Sequence, residues 1–343
     1  MKPTLTIAIP TYNRLDKVKR ALSKLQSQIG DNVCVKIFDN ASAPPVAENV
    51  KGFDSLEIFT SSVNVGLSGN FLRCFEYCET DWLWILSDDD IPLDNAVEII
   101  LDTIQANNKA VFINFFSELS RSEPFPNRYE TCVGISQLVS SLRSFSNLLL
   151  ISTSIYKASE LKSSIKAGYY FSTTIAPHLA ILFDYLTGNE NAEIVYSNNS
   201  IVHYQAPTTG SHWNIVNLNK GVSDLVLQIR NESDRRNLFK KIQEVHPYYH
   251  LPPKEVVRYV VNSREANIHL VVSDFLRDHT FLYWANGGST FKFLFFIMSN
   301  VVLLQLLQLK VIRNILRKLM RNKNIHRIPI YNRYEALKTD LRL

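Results

Sequence analysis

Four short apolar runs, Leu5–Ile9, Val33–Phe38, Leu56–Phe59 and Trp82–Leu86, each end in a polar loop. Helix-patterned sequence lies between them. Val18, Ala21, Leu22, Leu25 and Ile29 have the spacing of one helical face, and Phe71, Leu72, Phe75 and Cys78 sit in a second such segment. Strands that alternate with helices predict an α/β fold, a doubly wound and mainly parallel sheet with right-handed crossovers. Such sheets bind ligands outside the carboxyl ends of their strands. The loops that matter are therefore the ones that follow the four runs.

The most telling of these follows Trp82-Leu83-Trp84-Ile85-Leu86, where Ser87 leads into Asp88, Asp89 and Asp90, with Pro92 just beyond. Three adjacent carboxylates repel one another unless a cation is present. Oxygen donors suit Mg²⁺ or Mn²⁺, which commonly bridge one or two carboxylates to substrate phosphates. An acidic turn in solvent is the plainer alternative, since turns favour Asp. Asp39, at the end of the second run, can accept hydrogen bonds from a ribose or base, or else close an Asx turn with its neighbours. Gly66 and Gly69 allow backbone N–H groups to approach phosphates at a helix start.

These stretches carry a resemblance. Ile7-Ala8-Ile9-Pro10-Thr11-Tyr12-Asn13-Arg14 is similar to the opening of the inverting family 2 glycosyltransferases of GT-A fold, of the kind that builds bacterial O-antigen or capsule. Asp39-Asn40-Ala41-Ser42 resembles their Asp-(Asn/Asp)-x-Ser nucleotide element. Asn64-Val65-Gly66-Leu67-Ser68-Gly69-Asn70 resembles Asn-x-Gly-x-x-x-Asn, and Ser87–Asp90 resembles the DXD element. The four occur in family order within the first 90 residues; the likeness is strong to about Leu101 and extends to about residue 215.

The resemblance implies transfer of a sugar from a nucleotide-sugar, a UDP-sugar by preference, with inversion and with Mn²⁺ or Mg²⁺. It implies that Thr11, Tyr12, Asn13 and Arg14 line the base pocket and that Asp39 contacts base or ribose. Asn64, Gly66 and Asn70 would frame the ribose-phosphate region. Asp88, Asp89 and Asp90 would form the DXD site, with Asp90 on the metal and Asp88 on the ribose or the metal's water. A C-terminal histidine often reaches the metal or diphosphate, which makes His212 or His203 candidates. The family's Glu-Asp pair, which supplies the base, is missing. Thr174-Ile175-Ala176-Pro177-His178 stands there instead, so His178 is the expected base. Asp184, six residues on and on another helix face, is the second candidate.

Further strands are expected at Val111–Phe116, Leu148–Tyr156 and within Ile194–Tyr204, with Ser152-Thr153-Ser154 facing either an acceptor sugar or the strand's half-buried side. From about Ile215 the pattern turns helical, which divides the chain into a GT-A domain, 1–215, and a helical domain, 216–343. Phe291–Leu309 is apolar with one charge, Lys292; it suits a buried, in-plane or membrane-spanning helix. After it, Val311, Ile312, Ile315, Leu316, Leu319 and Met320 fall on one helical face and Lys310, Arg313, Arg317, Lys318 and Arg321 on the other. That is the interfacial type of amphipathic helix, and residues 291–323 are expected to meet a membrane.

Charge supports this division. The chain carries a net +5, while Lys310–Arg327 holds seven basic residues and no acidic one. The body is thus slightly acidic (5 − 7 = −2), which argues against nucleic acid and for a tail on an anionic surface. No basic segment with an apolar stretch opens the sequence, so no signal peptide is expected. Cys34, Cys74, Cys78 and Cys132 form no CxxC pair and are expected to be reduced thiols. The expected setting is the cytoplasmic face of the inner membrane, peripheral or monotopic, with a lipid-linked oligosaccharide as acceptor. Two other classes compete: a nucleotidyltransferase, whose basic Gly-rich loop Pro10–Arg14 lacks, and a non-catalytic scaffold, favoured by the missing Glu-Asp pair.

Overall fold

A computed structural model describes residues 3–50, 56–118, 125–204 and 222–245, together with positions between 284 and 319 that include a helix at Lys310–Leu319. Eight strands form one sheet: β1 (Leu5–Thr11), β2 (Val33–Asp39), β3 (Leu56–Thr60), β4 (Trp82–Ile85), β6 (Ala110–Phe115), β7 (Tyr129–Val133), β8 (Ser154–Lys157) and β9 (Glu193–Ser197). Their order is β3-β2-β1-β4-β8-β6-β9-β7. The pairs among β1 to β4 are parallel, as is β6 with β9, while β8 runs antiparallel between β4 and β6 and β7 antiparallel on β9. The carboxyl ends of β1, β2, β4 and β6 therefore share one edge. A separate two-stranded ribbon pairs β5 (Ile91–Pro92) with β10 (Val202–His203) beside that edge.

Among the described residues the helices up to Gly188 are α1 (Leu15–Leu25), α2 (Val46–Asn49), α3 (Gly66–Glu76), α4 (Ala96–Ala106), α5 (Gly134–Ser141), α6 (Phe145–Leu149), α7 (Ala158–Leu161), α8 (Ile165–Tyr170) and α9 (Pro177–Gly188), and a further helix spans Glu232–Val245. They cover both faces of the sheet. Period-2 alternation splits each strand between the two cores: in β4, Trp82 and Trp84 join Val18, Leu22 and Ile100 on one face, while Leu83 and Ile85 join Phe71, Phe75, Tyr156 and Leu179 on the other. Val222, Leu225, Leu238 and Ile242 belong to that second core, so it continues past residue 215.

Two local expectations change. Leu148–Tyr156 is not one strand. Ser144 accepts a hydrogen bond from the Asn147 amide and caps α6, a 3₁₀ turn occupies Ile151–Thr153, and only Ser154 onward is extended. Alternating apolar residues gave the strand pattern; the cap overrode it. Ser152, Thr153 and Ser154 are fully buried. Asn114 Nδ2 donates to Ser154 Oγ at 3.0 Å and Thr153 Oγ1 donates to the Asn147 carbonyl at 2.9 Å, so these hydroxyls serve an internal network rather than an acceptor. β7 was hidden because Tyr129–Val133 mixes apolar and polar residues on a partly exposed edge strand. The four cysteines are free thiols, and Cys34 alone is only half-buried. His212 and much of the expected helical domain, 216–343, lie outside the described residues.

Candidate active site

The acid turn grows directly from β4. The Leu86 amide donates to the Ala8 carbonyl at 2.9 Å, continuing the β1–β4 ladder to the lip. The Ser87 amide then donates to Ser152 Oγ at 2.9 Å, which ties the turn to the internal network beneath it. Asp88 is 3% exposed. Thr11 Oγ1 donates to its Oδ2 at 2.7 Å and Arg14 Nη1 to its Oδ1 at 2.9 Å. Burial raises the Asp88 pKa, and Arg14 and Thr11 oppose that rise. Each Asp88 oxygen thus already accepts one hydrogen bond, beside the expected role at the ribose, the metal or the metal's water.

Asp89 is held differently. Arg14 Nη1 also reaches its Oδ2 at 3.1 Å, Lys17 Nζ lies at 3.5 Å, and Ser87 Oγ donates to its Oδ1 at 2.5 Å. Burial works against its charge, yet the Ser87 hydroxyl and the two cations hold its pKa below the usual value. Asp90 closes the turn and is 4% exposed. Tyr204, just beyond β10, is nearby: burial first, then Asp90 and Asp89, push its hydroxyl pKa up. Sequence reasoning missed Tyr204. Its approach follows from the antiparallel pairing of Val202–His203 with Ile91–Pro92, a long-range contact that local sequence does not announce.

The loop after β2 is built from the Asp39 carboxylate. Asp39 is fully buried; its Oδ1 accepts from the Ser42 amide and its Oδ2 from the Val46 amide, each at 2.9 Å. The sequence assigned it to base or ribose; here both oxygens close an Asx turn and the start of α2. Asp39→Ala would strand two buried amides, and a loss of about 3 kcal/mol is expected. A urea midpoint equal to that of the unchanged protein would refute this role.

The neighbouring loops are stitched to it. The Asn13 amide donates to Ser42 Oγ at 2.8 Å, and the Ala43 amide to Asn13 Oδ1 at 2.9 Å. Asn40 Nδ2 donates to Asn64 Oδ1 at 2.7 Å, and the Gly66 amide donates to the same oxygen at 2.8 Å. Gly66 has φ +78°, a backbone state that favours glycine. Asn70 is 2% exposed, with Nδ2 on the Phe38 carbonyl at 2.8 Å. The structure thus brings Thr11, Asn13, Arg14, Asp39, Asn64, Gly66, Asp88 and Asp89 to one edge. Asn13 and Arg14 there are exposed and Tyr12, Asn64 and Asp89 half-buried, whereas Asp88 and Asp90 are buried at the base of the turn.

His178 does not join them. Its ring is 1% exposed and packs edge-on between Phe71 and Tyr156, at centroid distances of 5.9 and 6.4 Å. Burial drives its pKa down from 6.5 to about 3, with only a small opposing pull from the Leu149 backbone. An enclosed imidazole of that pKa neither reaches an acceptor hydroxyl nor holds its proton near neutrality, so the expectation of a base at His178 is corrected. The Pro-His sequence at the start of α9 imitated a functional helix terminus, but the helix is apolar almost all round. Asp184, also on α9, is exposed. His203 is exposed too, with Nδ1 3.8 Å from Glu118 Oε1.

Carboxylate oxygens at a strand end suit a hard divalent cation in donor type. Among the described residues no three candidate ligands cluster closely enough to hold one alone.

Residues 6–151 match the family model described as Glycosyl transferase family 2. An uncharacterized glycosyltransferase of Haemophilus influenzae is 28% identical over 109 residues, 32% of this chain and 37% of that protein. The abequosyltransferase RfbV of Salmonella typhimurium is 28% identical over 103 residues, 28% of this chain and 31% of that protein. The chain thus spans about a third of the length of each. The crystal structure of S. aureus TarS 1–349 in complex with UDP-GlcNAc superposes with a TM-score of 0.54 at 11% identity, covering 92% of both chains; this is a likeness of fold. The ordered motifs and the family match mark residues 6–151 as a family 2 glycosyltransferase domain, and the sheet has the GT-A arrangement.

Proposed function

We propose that this chain is a metal-dependent inverting glycosyltransferase. It would move a sugar from a nucleotide-sugar, a UDP-sugar by preference, to a hydroxyl of a lipid-linked glycan in bacterial surface polysaccharide assembly. The observation that carries the reading is the braced acid turn at the carboxyl edge of β4, with Arg14 and Thr11 fixing Asp88 and leaving Asp90 at the lip. The named activity of the Salmonella relative supports the polysaccharide setting. The UDP-GlcNAc complex of TarS supports the donor class.

In this reading Tyr12, Asn13 and Asn64 receive the nucleoside. Asp90 holds Mn²⁺ or Mg²⁺, which when bound supplies Lewis-acid neutralisation of the diphosphate leaving group. Arg14 and Lys17 keep Asp89 charged and fixed beside it. His178 is outside the chemistry; of the two residues proposed from sequence, Asp184 is the exposed candidate for the base. The setting is the cytoplasmic face of the inner membrane, where a polyprenyl-linked acceptor would present its glycan.

Thermal unfolding against UDP, GDP, CDP, CMP and dTDP, each with and without Mn²⁺, tests the donor site. One nucleoside diphosphate should stabilise the protein in a metal-dependent way. At a hundredfold excess over Kd the gain is about 2.7 kcal/mol. No shift from any of the five would overturn the reading and favour a non-catalytic scaffold.

A further inference from the structure

The described helical positions near the C-terminus expose an apolar face, interrupted by Gln305. Phe291, Leu294, Phe295, Met298, Val302 and Leu306 are all helical. At about 100° per residue they fall within an arc of about 120°. Phe291 is 78% exposed, Phe295 and Met298 are each 67% exposed, and none of the six is below 45%. Large apolar side chains scattered singly over a surface are ordinary; six in one helical stripe are not. The chain bends at Leu309 and resumes as the helix Lys310–Leu319, where Val311 and Ile315, one turn apart, are 70% and 52% exposed.

We infer that this face is a docking surface for an anionic lipid bilayer. Charge identifies the occupant. The stripe runs directly into Lys310–Arg327, with seven basic residues and no acidic one. An anionic bilayer matches both parts: acyl chains take the apolar arc, and headgroup phosphates take the basic block. The rest of the chain sums to −2 by difference from the net +5, so the body is repelled and the tail supplies the attraction. Among the described residues no helix is long and apolar enough to cross a membrane. An exposed apolar arc that leads into a basic block is the pairing an anionic interface binds.

The inference deepens the lipid-linked-acceptor reading and rests on it for its purpose. A lipid-linked glycan diffuses in two dimensions, so an enzyme held in the interface meets it at high local concentration. The active-site edge does not enter the binding argument.

Co-sedimentation of the full chain with phosphatidylcholine vesicles, with and without phosphatidylglycerol, tests it. The protein should pellet with the anionic vesicles, much less with phosphatidylcholine alone, and less as salt rises. The double variant Phe295→Asp, Met298→Asp should lower partitioning at least tenfold. Both side chains are exposed, so its melting temperature and its metal-dependent nucleotide shift should stay unchanged. Equal pelleting by the variant, or equal pelleting on both vesicle types, would overturn the inference. So would a wild-type dimer by light scattering that the variant abolishes while neither protein binds vesicles, which would assign the face to a second copy. A nucleotide shift without vesicle binding refutes the membrane face alone; vesicle binding without a nucleotide shift refutes the donor site alone.

Discussion

His178→Leu is expected to flatten the acid limb of the stability curve and to leave sugar transfer nearly untouched. The folded protein holds this imidazole neutral, with its pKa depressed from 6.5 to about 3 by burial. In that case the unfolded chain binds a proton that the folded chain refuses. Stability from this group is complete above pH 6.5 and is lost as pH falls from 6.5 towards 3. At 1.36 kcal/mol per pH unit the loss is about 2 kcal/mol by pH 5 and about 5 kcal/mol across the window. Phe71 and Tyr156 face the ring, and burial raises the Tyr156 pKa, so neither offers a counter-charge in this range. Leucine is of similar bulk and should cost about 1 kcal/mol at pH 7 through altered packing. Denaturant midpoints at pH 7 and pH 5 read the slope directly. An unchanged slope would mean that the ring is not enclosed as described. A fall in transfer of about 10²–10⁴-fold, the range for loss of a general base, would restore His178 to the chemistry.

Asp90→Asn should carry the largest effect on activity. The substitution keeps shape and removes the charge that would hold the cation, while the β4 lip stays braced through Asp88 by Thr11 and Arg14. Loss of Lewis-acid stabilisation worth about 4 kcal/mol lowers transfer by about 10³-fold. The metal-dependent part of the nucleotide-induced thermal shift should vanish with it. Asp89→Asn makes the useful contrast. Its carboxylate is engaged by Ser87, Arg14 and Lys17, so its loss should weaken the brace and reduce transfer less than Asp90→Asn. Comparable losses from the two variants would show that the roles within the turn are wrongly divided.

How far the sequence could be read depended on how local the determining physics was. The parallel half of the sheet was legible because the runs at Leu5, Val33, Leu56 and Trp82 are apolar, short and followed by polar loops. β7 and the turn before Ser154 were not, since an edge strand of mixed composition and a Ser144 cap depend on what packs nearby. The site shows the same boundary. Sequence placed the polar loop residues at one edge, because loop position follows from strand polarity. It could not say which oxygens were already engaged. Asp39 looked like a ribose acceptor and proved to hold two amides. Asp88 looked like a ligand, and its oxygens already accept from Thr11 and Arg14. His178 looked like a base because its neighbours in sequence are those of a helix start, whereas its neighbours in space are two aromatic rings.

Five side chains at and after the start of α1 grip the segment that carries the acids. Arg14 and Lys17 reach Asp89, Arg20 donates to the Asp89 carbonyl, Lys24 pairs with Asp94, and Gln28 donates to the Leu93 carbonyl and accepts from the Val97 amide. Their spacing of three or four residues keeps them on one side of the helix and its extension. Inserting or deleting one residue within 15–25 would rotate everything on one side of the change by about 100°, parting some of these side chains from their partners while the apolar face slipped off the sheet. Point substitutions can accumulate along this helix; changes of length cannot. The first helix thus acts as a fixed gauge for the acid turn, and lineages that carry this turn should vary its loops freely while holding the residue count from Arg14 to Gln28 constant.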